Sequence, residues 1–288
     1  MNLRTDLALE QREISAPEET DGIECEEVKK GDAKITKIEI TNENGEKKLN
    51  RKKGTYITVE LPDLSRFADF THSAETIADE LIMLLPEDGL ILVAGLGNDR
   101  ITPDALGPGC AEQIFSTRHI GKELQKSIGF EHLRPVARVI PGVLGQNGIE
   151  TVEILEGIVR SVSPAALITV DALASRRLSR LGRTVQICNT GISPGSGVGN
   201  ARAEISAETV GIPVISIGVP TVVDAFTLAC DLIGDDATRK IEKNGEKMMV
   251  TPREIDLLIE HASKLVAAAI NKALQPDMDV DELMALVS

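Results

Sequence analysis

Short apolar runs separated by helix-like stretches dominate the chain from about residue 89 onward. Between these runs apolar residues return at helical spacing, as they do in residues 149–162. Apolar runs of strand length that alternate with helices predict an α/β fold with a mostly parallel, open sheet covered by helices. The predicted strands are residues 89–94, 137–140, 166–170, 184–188 and 214–217.

A second pattern precedes these runs. Residues 33–41 and 55–61 alternate apolar and polar positions with a period of two, and Asn44-Gly45 between them is a turn signal. The pattern predicts a β-hairpin or small sheet. Because residues 1–54 are otherwise polar and rich in charge, we expect this region to be peripheral.

Helices are predicted at both ends of the α/β part. Apolar residues recur at helical spacing in residues 73–85, directly before the first predicted strand. Another helix is predicted over residues 252–274, with Thr251 as its N-cap and Pro252 in the first helical position. We expect this long helix to pack on the sheet as a cover.

The size and composition of the chain fit one compact body with an appendage. Its 288 residues, 42% of them hydrophobic, are enough to bury a full core. We assign residues 7–62 to an N-terminal, peripheral β-rich segment and residues 63–288 to the α/β catalytic domain. The four cysteines form no CxxC pair, which favours reduced thiols over a zinc or redox motif.

Charge and hydropathy exclude several classes of partner. The formal net charge of −14 repels phosphate backbones and anionic lipid headgroups, so we expect no direct binding to nucleic acid. No apolar run reaches the roughly 20 residues that a membrane helix needs, and the N-terminus lacks the apolar core of a secretion signal. We therefore expect a cytoplasmic protein without membrane contact.

Two aspartates follow predicted strands, where open α/β sheets collect ligands and catalytic groups. Asp104 lies between Pro103 and an apolar helix start, and N-capping alone would explain its position. Asp171 comes directly after the apolar residues 166–170. An unpaired carboxylate at such a place is costly, so Asp171 either caps a nearby group or takes part in chemistry. We favour chemistry for Asp171.

Segments rich in glycine and proline follow the other predicted strands. Residues 189–200 are interpreted as a flexible lid, a backbone nest for an oxyanion or an ordinary surface loop. The candidate oxyanion or substrate-loop residues are Gly191, Ser193, Gly195, Ser196, Gly197 and Gly199. The remaining segments form either tight turns or a wall for an extended peptide. The candidate wall residues are Asn98, Pro141, Gly142, Gly145, Pro220 and Thr221.

Five sequence blocks stand out between about residues 90 and 231. They read GLGNDRITPDALGP, PGVLGQNGIET, TVDALASRR, NTGISPGSGVGNARAEIS and GIPVISIGVPTVVDA. In content and order these blocks closely resemble the germination protease family of spore-forming bacteria. The N-terminal LRTDLALE and the C-terminal MMVTPREID are similar to family segments too.

The resemblance implies an endopeptidase of the spore core that degrades small acid-soluble spore proteins during germination. It also implies a homotetramer and a fold similar to that of hydrogenase maturation proteases. The family's essential acids correspond to Asp104 and Asp171, and both motifs are intact. The fold relatives bind metal through similarly placed acids and a histidine. No histidine stands near a later strand end of this chain, so we expect neither a metal nor a cofactor.

The resemblance further implies a zymogen that removes its own short N-terminal segment. Family substrates are cut after an acidic residue that precedes a bulky apolar one, and Thr5-Asp6-Leu7-Ala8 fits this description. We therefore predict that residues 1–6 are a propeptide and that autoprocessing occurs between Asp6 and Leu7. The stretch 231–248 is shorter than in longer family members, which predicts a missing surface insertion.

Two neighbouring carboxyl groups that share one proton can supply both the base and the acid that peptide hydrolysis needs. We hypothesise that Asp104 and Asp171 form such a pair, and that backbone amides of residues 191–199 stabilise the oxyanion. Two rival functions stay open. They are a metal-dependent maturation-type protease and a non-catalytic oligomeric binding protein on the same fold.

Overall fold

A computed structural model of the chain describes residues 5–15, 20–66, 70–127, 132–199, 202–233 and 248–287. Within these ranges one sheet contains nine strands, and helices pack on both of its faces. The strands are β1 Ile23–Lys30, β2 Ala33–Ile40, β3 Gly54–Glu60, β4 Ile91–Gly95, β5 Val136–Val139, β6 Ala166–Ser175, β7 Thr184–Cys188, β8 Val214–Asp224 and β9 Met249–Val250. The helices are α1 Ala8–Ser15, α2 Glu43–Leu49, α3 Phe70–Ile82, α4 Leu106–Glu112, α5 Lys122–Ser127, α6 Leu144–Asn147, α7 Thr151–Val162, α8 Ala207–Val210, α9 Ala225–Ile233, α10 Ile255–Leu274 and α11 Val280–Ala285.

The strands follow the order β1-β2-β3-β7-β8-β6-β4-β5, with β9 paired to β8. The four strands β8, β6, β4 and β5 run parallel to one another. The other pairings, made by β1, β2, β3, β7 and β9, are antiparallel. The predicted α/β fold with a helix-covered sheet is confirmed. Its parallel strands β8, β6, β4 and β5 form one end of the sheet, and antiparallel strands continue the sheet from β8 to β1.

The N-terminal strands extend this same sheet. The two predicted N-terminal segments pair with each other as β2 and β3, and β3 in turn pairs with β7. The sheet thus runs on without a break, and the structure does not confirm a separate appendage. The domain boundary at residues 62 and 63 stays a prediction.

Two local predictions in this region were wrong or incomplete. Asn44 and Gly45 do not form a turn, because they lie in α2, where Asn42 Oδ1 accepts their backbone N–H groups at 2.9 and 3.1 Å. The strand β1 was not predicted. Its sequence IECEEVKK is mostly exposed at the sheet edge, so it lacks the apolar alternation that marked its neighbours.

The core divides between the two faces of the sheet. On one face α3, α4 and α10 pack on the central strands, including Ile168 and Val170 of β6. On the other face, α7 and α8 cover the β4 side of the sheet, while α1 and α2 cover β2 and β3. Parts of β6, β8 and β7 face a cleft on this second side.

The long C-terminal helix covers the sheet as predicted, but it begins later than predicted. α10 starts at Ile255, and Thr251 is not its N-cap because Thr251 Oγ1 donates to Thr221 O at 3.0 Å. Pro252 therefore lies before the helix. Within the described ranges, no helix is long and apolar enough to cross a membrane.

Candidate active site

Asp171 is the sixth of the ten residues of β6, and it lies on the face of the sheet that α10 does not cover. Ile168 and Val170 belong to the core under α10, and side chains alternate along a strand, so Asp171 points the other way. Asp171 is only 5% exposed. Gly218 of β8 pairs beside it, and Gln186 of β7 pairs beside Gly218. The three residues form one row across three adjacent strands.

The environment of Asp171 favours its protonated form. Burial raises the pKa of Asp171 well above its usual value of 3.8, because the charged form loses its hydration. The negative charges of Asp104 and Asp6 raise the pKa further, while the N–H of Ala172, which donates to Asp171 Oδ1 at 2.9 Å, opposes them. Asp171 thus keeps its proton to a higher pH than an exposed aspartate does.

Asp104 closes the 3-10 turn Thr102–Asp104, which follows β4, the strand next to β6. Burial raises the pKa of Asp104, and the N–H of Asn98, which donates to Asp104 Oδ2 at 2.8 Å, lowers it in part. Asp104 is close enough for its charge to act on Asp171. It does not cap α4, whose N-cap residue is Ala105 without a side-chain bond. Capping therefore does not explain its position.

A cleft of about 890 Å³ opens over the row of residues on β6, β8 and β7. It is lined by Asp171, Gly218 and Gln186, by residues of α1 and by part of the glycine-rich loop. Thr5 and Asp6, from the N-terminal segment, also line it. Asp6 of the predicted autocleavage site and Asp171 of the predicted aspartate pair thus line one cleft, whereas Leu7 and Asp104 are not among its lining residues.

Asp6 is bound in this cleft through both its backbone and its side chain. Asp6 N donates to Ala174 O at 2.9 Å, and Ala174 N donates to Asp6 Oδ2 at 2.8 Å. Ser196 Oγ donates to Asp6 Oδ1 at 2.9 Å. Gln186 Nε2 donates to the carbonyl oxygen of Asp6 at 2.9 Å. The acidic side chain occupies a specific pocket, and the carbonyl group that precedes Leu7 is held by an amide.

The residues on the other side of the Asp6–Leu7 bond are buried and anchored. Leu7 and Ala8 have no exposed surface, and α1 begins at Ala8. Ala8 N donates to Gln186 Oε1 at 2.6 Å. The chain is therefore fixed on both sides of the bond that the sequence marks for cleavage. Residues 1–4 of the predicted propeptide lie outside the described residues.

Glu10 ties α1 to the end of β6. It is fully buried, and it accepts the backbone N–H groups of Arg176 and Arg177 at 2.6 and 2.9 Å. The guanidinium of Arg180, itself 7% exposed, lies 3.4 Å from Glu10 Oε1 and 2.5 Å from Glu13 Oε1. Buried charges need such partners, so this cluster fixes the position of α1 on the sheet.

The glycine-rich loop contacts the side chain of Asp6. Five of its six predicted residues line the cleft, namely Gly191, Ser193, Gly195, Ser196 and Gly197, while Gly199 is not among the lining residues. A Cβ atom at Gly197 would lie 2.1 Å from Asp6 Oδ2, so the missing side chain makes room for the carboxylate. An oxyanion role for the loop amides stays a prediction.

Replacing Gly197 with Ala is expected to slow the predicted cleavage after Asp6 by about 10- to 100-fold. The new methyl group would displace the carboxylate from its charge-assisted hydrogen bonds, which are worth about 1.5–3 kcal/mol. Intact mass spectrometry of the purified chain over time measures the rate. Gly157→Ala is the control, because no atom lies within 4 Å of a Cβ there. Equal rates for Gly197→Ala and the wild type would contradict this mode of Asp6 binding.

The six predicted wall residues are not among those that line the cleft. Several lie around the Asp104 turn and the end of β5. Thr221 Oγ1 donates to Pro103 O at 2.7 Å, next to Asp104, and Asn98 Oδ1 accepts from Gln146 Nε2 at 2.7 Å. A substrate contact stays a prediction for Asn98, Pro141, Gly142, Gly145, Pro220 and Thr221.

Sequence reasoning missed two residues that bind Asp6, and each for a reason. Ala174 contributes only its backbone, which no side-chain pattern can reveal. Gln186 carried a signal: it is a polar residue between Val185 and Ile187 in a short apolar strand. An amide at such a buried position needs partners, and here it has them on Asp6 and Ala8.

Among the described residues, no group of three or more His, Cys, Asp or Glu side chains is placed to hold a metal ion. His261 lies on α10, across the sheet from Asp171, and its Nδ1 is 3.0 Å from Leu64 O.

Comparison with known proteins identifies the family. The model of the germination protease family matches residues 4–236. The chain belongs to the germination protease family. Germination proteases from Clostridium tetani and Clostridium perfringens are 41% and 42% identical to it, each with 98% of both chains covered. The germination protease of Priestia megaterium is 34% identical, with 99% of this chain and 96% of that one covered.

Family membership makes the chain a peptidase of spore germination, and it confirms the resemblance drawn from the sequence blocks. The alignment with the Clostridium tetani germination protease spans 319 positions against 288 residues here, so that relative has residues this chain lacks. Where they fall is a prediction, and most of the stretch 231–248 lies outside the described residues. Among solved structures, a NiFe hydrogenase maturation protease from Thermococcus kodakarensis matches 68% of this chain and 99% of its own, with 18% identity and a TM-score of 0.40.

Proposed function

We propose that this germination protease is a zymogen that cleaves its own Asp6–Leu7 bond and then degrades small acid-soluble spore proteins in the cytoplasm of the spore core. One observation carries the proposal. Asp6 lies in the cleft that contains Asp171, with its carboxylate and its carbonyl oxygen both bound by hydrogen bonds. Acidic residues of substrates would enter the same pocket after residues 1–6 leave.

The two aspartates would divide the work of hydrolysis. Asp171 is the more deeply buried and faces the negative charges of Asp104 and Asp6, so it holds the shared proton. Asp104 is the less buried of the two, and the Asn98 N–H partly offsets the rise that burial causes in its pKa, so Asp104 is the base. These assignments follow from the two environments.

The reaction then proceeds in two steps. A water molecule attacks the carbonyl carbon of Asp6 while its proton passes to Asp104, which leaves a negative charge on the carbonyl oxygen. The carbon–nitrogen bond then breaks as Asp171 gives its proton to the nitrogen of Leu7. The products are a new carboxyl group on Asp6 and a new amino group on Leu7.

The intact N-terminal segment would keep the zymogen inactive by occupying the substrate site. Asp6 fills the acidic pocket, and Thr5 lines the same cleft. A substrate therefore competes with a segment of the same chain, whose effective concentration is high. We also propose the homotetramer that the sequence resemblance implies, which light scattering on the processed protein tests directly.

Incubation of the purified chain tests the proposed function. We expect intact mass spectrometry and N-terminal sequencing to find a new end at Leu7, and the processed protein to cleave a small acid-soluble spore protein after acidic residues. Both reactions are run with and without a chelator. Loss of cleavage with the chelator would favour a metal-dependent protease. An intact spore protein beside a stable N-terminus would favour a binding protein.

A further inference from the structure

The side-chain amide of Gln186 bonds to both sides of the Asp6–Leu7 peptide bond. Gln186 Nε2 donates to the Asp6 carbonyl oxygen at 2.9 Å, and Gln186 Oε1 accepts from Ala8 N at 2.6 Å. Gln186 is 6% exposed, and it lines the cleft together with Asp171. A buried amide directed at the carbonyl oxygen of the bond marked for cleavage lies where charge develops during peptide hydrolysis.

We propose that Gln186 is a catalytic residue that stabilises the oxyanion through its Nε2 group. This inference rests on the proposed function, namely hydrolysis of the Asp6–Leu7 bond by the aspartate pair. The hydrogen bond already present in the ground state strengthens when the attack of water places a full negative charge on the oxygen. The charge disappears when the carbon–nitrogen bond breaks, so Gln186 neither gains nor loses a proton.

The sheet provides the geometry for this role. Asp171, Gly218 and Gln186 are paired side by side on β6, β8 and β7, and adjacent strands lie about 4.8 Å apart. Asp171 and Gln186 are therefore separated by two strand spacings, roughly 10 Å, with only a glycine between them. The gap admits a peptide group, with the proposed acid on one side and the amide donor on the other.

The orientation of the amide is fixed by a partner that cleavage does not remove. An amide offers an acceptor at Oε1 and donors at Nε2, and the N–H of Ala8 must face the acceptor. Ala8 belongs to the Leu7 side of the bond and starts α1, which Glu10 anchors through Arg176 and Arg177. After residues 1–6 depart, Gln186 Nε2 still faces the cleft and is ready for the carbonyl oxygen of the next substrate.

Two substitutions separate catalysis from packing. Gln186→Glu keeps the shape and the acceptor for Ala8 but loses the donor whenever the new carboxyl group is ionised. Gln186→Met keeps most of the volume and removes both hydrogen bonds. Thr184→Val is the control, since Thr184 lies two residues away on β7, is fully buried, and its Oγ1 has no hydrogen-bond partner among the described residues.

The full chain is tested in two assays, self-cleavage at Asp6–Leu7 and cleavage by the processed protein of a synthetic peptide covering residues 1–12. At neutral pH we expect both Gln186 variants to lose about 10²- to 10³-fold in the first-order rate constant of self-cleavage and in kcat for the peptide, with little change in KM for the peptide, as for loss of an oxyanion donor in other hydrolases. The ratio of Gln186→Glu to wild-type activity should rise as the pH falls, because the protonated carboxyl group can donate. Gln186→Met should show no such recovery.

The outcomes distinguish the inference from the function on which it rests. The role of Gln186 alone is overturned if the wild type cleaves and the activities of both variants lie within about threefold of the wild-type activity. It is also overturned if the two variants lose activity equally and their activity relative to the wild type does not change with pH. A wild-type chain that cleaves neither itself nor the peptide overturns the proposed function and the role of Gln186 together. Thermal unfolding of each variant verifies that the activities compared belong to folded protein.

Discussion

Replacing either Asp104 or Asp171 with Asn is expected to reduce cleavage at Asp6–Leu7 by at least about 10³-fold, because each step of hydrolysis would lose its proton acceptor or its proton donor. The amide has nearly the same shape as the carboxyl group, so the substitutions change chemistry more than packing. The measurement is the rate of self-cleavage of the full chain, followed by intact mass spectrometry. Appreciable cleavage in both single variants would refute the aspartate pair.

A matched control is present on the neighbouring strand. Asp224 ends β8, is 3% exposed, and accepts the N–H of Thr227 at 2.9 Å through Oδ1. It is thus a buried, strand-terminal aspartate with an architectural bond that Asn can also make. Asp224→Asn is expected to leave self-cleavage within about twofold of the wild type. A loss as large as that of Asp171→Asn would mean that burial of an acid, and not its position in the cleft, decides the result.

Asp171→Asn is expected to raise the stability of the fold at neutral pH. The pKa of Asp171 is raised in the folded state, so ionisation destabilises the fold as pH rises above its usual value of 3.8. Asn carries no charge to bury. The variant should therefore unfold at a higher temperature than the wild type at neutral pH, by about 2–4 °C for each kcal/mol, and the difference should vanish toward pH 4. A lower unfolding temperature at neutral pH would show that the carboxylate has an architectural role.

The central strands were predictable because they are buried on both faces. Residues 166–170 and 214–217 read as continuous apolar runs, and the structure extends both to longer strands, β6 and β8, whose ends continue into the site. The polar edge strand β1 had no such signal. A strand can thus be predicted from its sequence when both of its faces are buried, whereas an exposed edge strand lacks the apolar pattern that would reveal it.

The sequence indicated some of the residues that line the cleft, but it did not indicate the contacts that depend on how the chain folds back on itself. Asp171 and Ser196 were chosen as candidates because they follow the predicted strands 166–170 and 184–188, and both line the cleft. The predicted wall at Thr221 lies elsewhere, because the Thr221 hydroxyl is bonded to Pro103 O beside the Asp104 turn. The docking of Asp6 against Ala174 depends on how α1 folds back on the sheet, which no local pattern encodes.

Arg180→Met is expected to destabilise the fold by about 3–5 kcal/mol, the usual effect of breaking a buried ion pair. The guanidinium lies among three carboxylates, Glu10, Glu13 and Glu60, at 3.4, 2.5 and 3.5 Å. Glu10 is fully buried, so the variant leaves a charge without its countercharge inside the protein. Urea unfolding at neutral pH, with ΔG compared at equal m-values, measures the loss.

The control for this prediction is an arginine three residues further along the chain. Arg183 pairs with Asp63 at 3.0 Å, but its side chain is 48% exposed, so Arg183→Met should cost less than about 1 kcal/mol.

The pH dependence of the stability difference between the wild type and Arg180→Met provides a second test. Burial alone would raise the pKa of Glu13, but the hydrogen bond and charge of Arg180 lower it on balance, so the stabilisation is present above its usual pKa of 4.5 and is lost as pH falls. The difference in unfolding free energy between the wild type and Arg180→Met should therefore become smaller in acid. A constant difference from pH 7 to pH 3 would mean that Arg180 stabilises the fold through packing of its aliphatic chain and not through its charge.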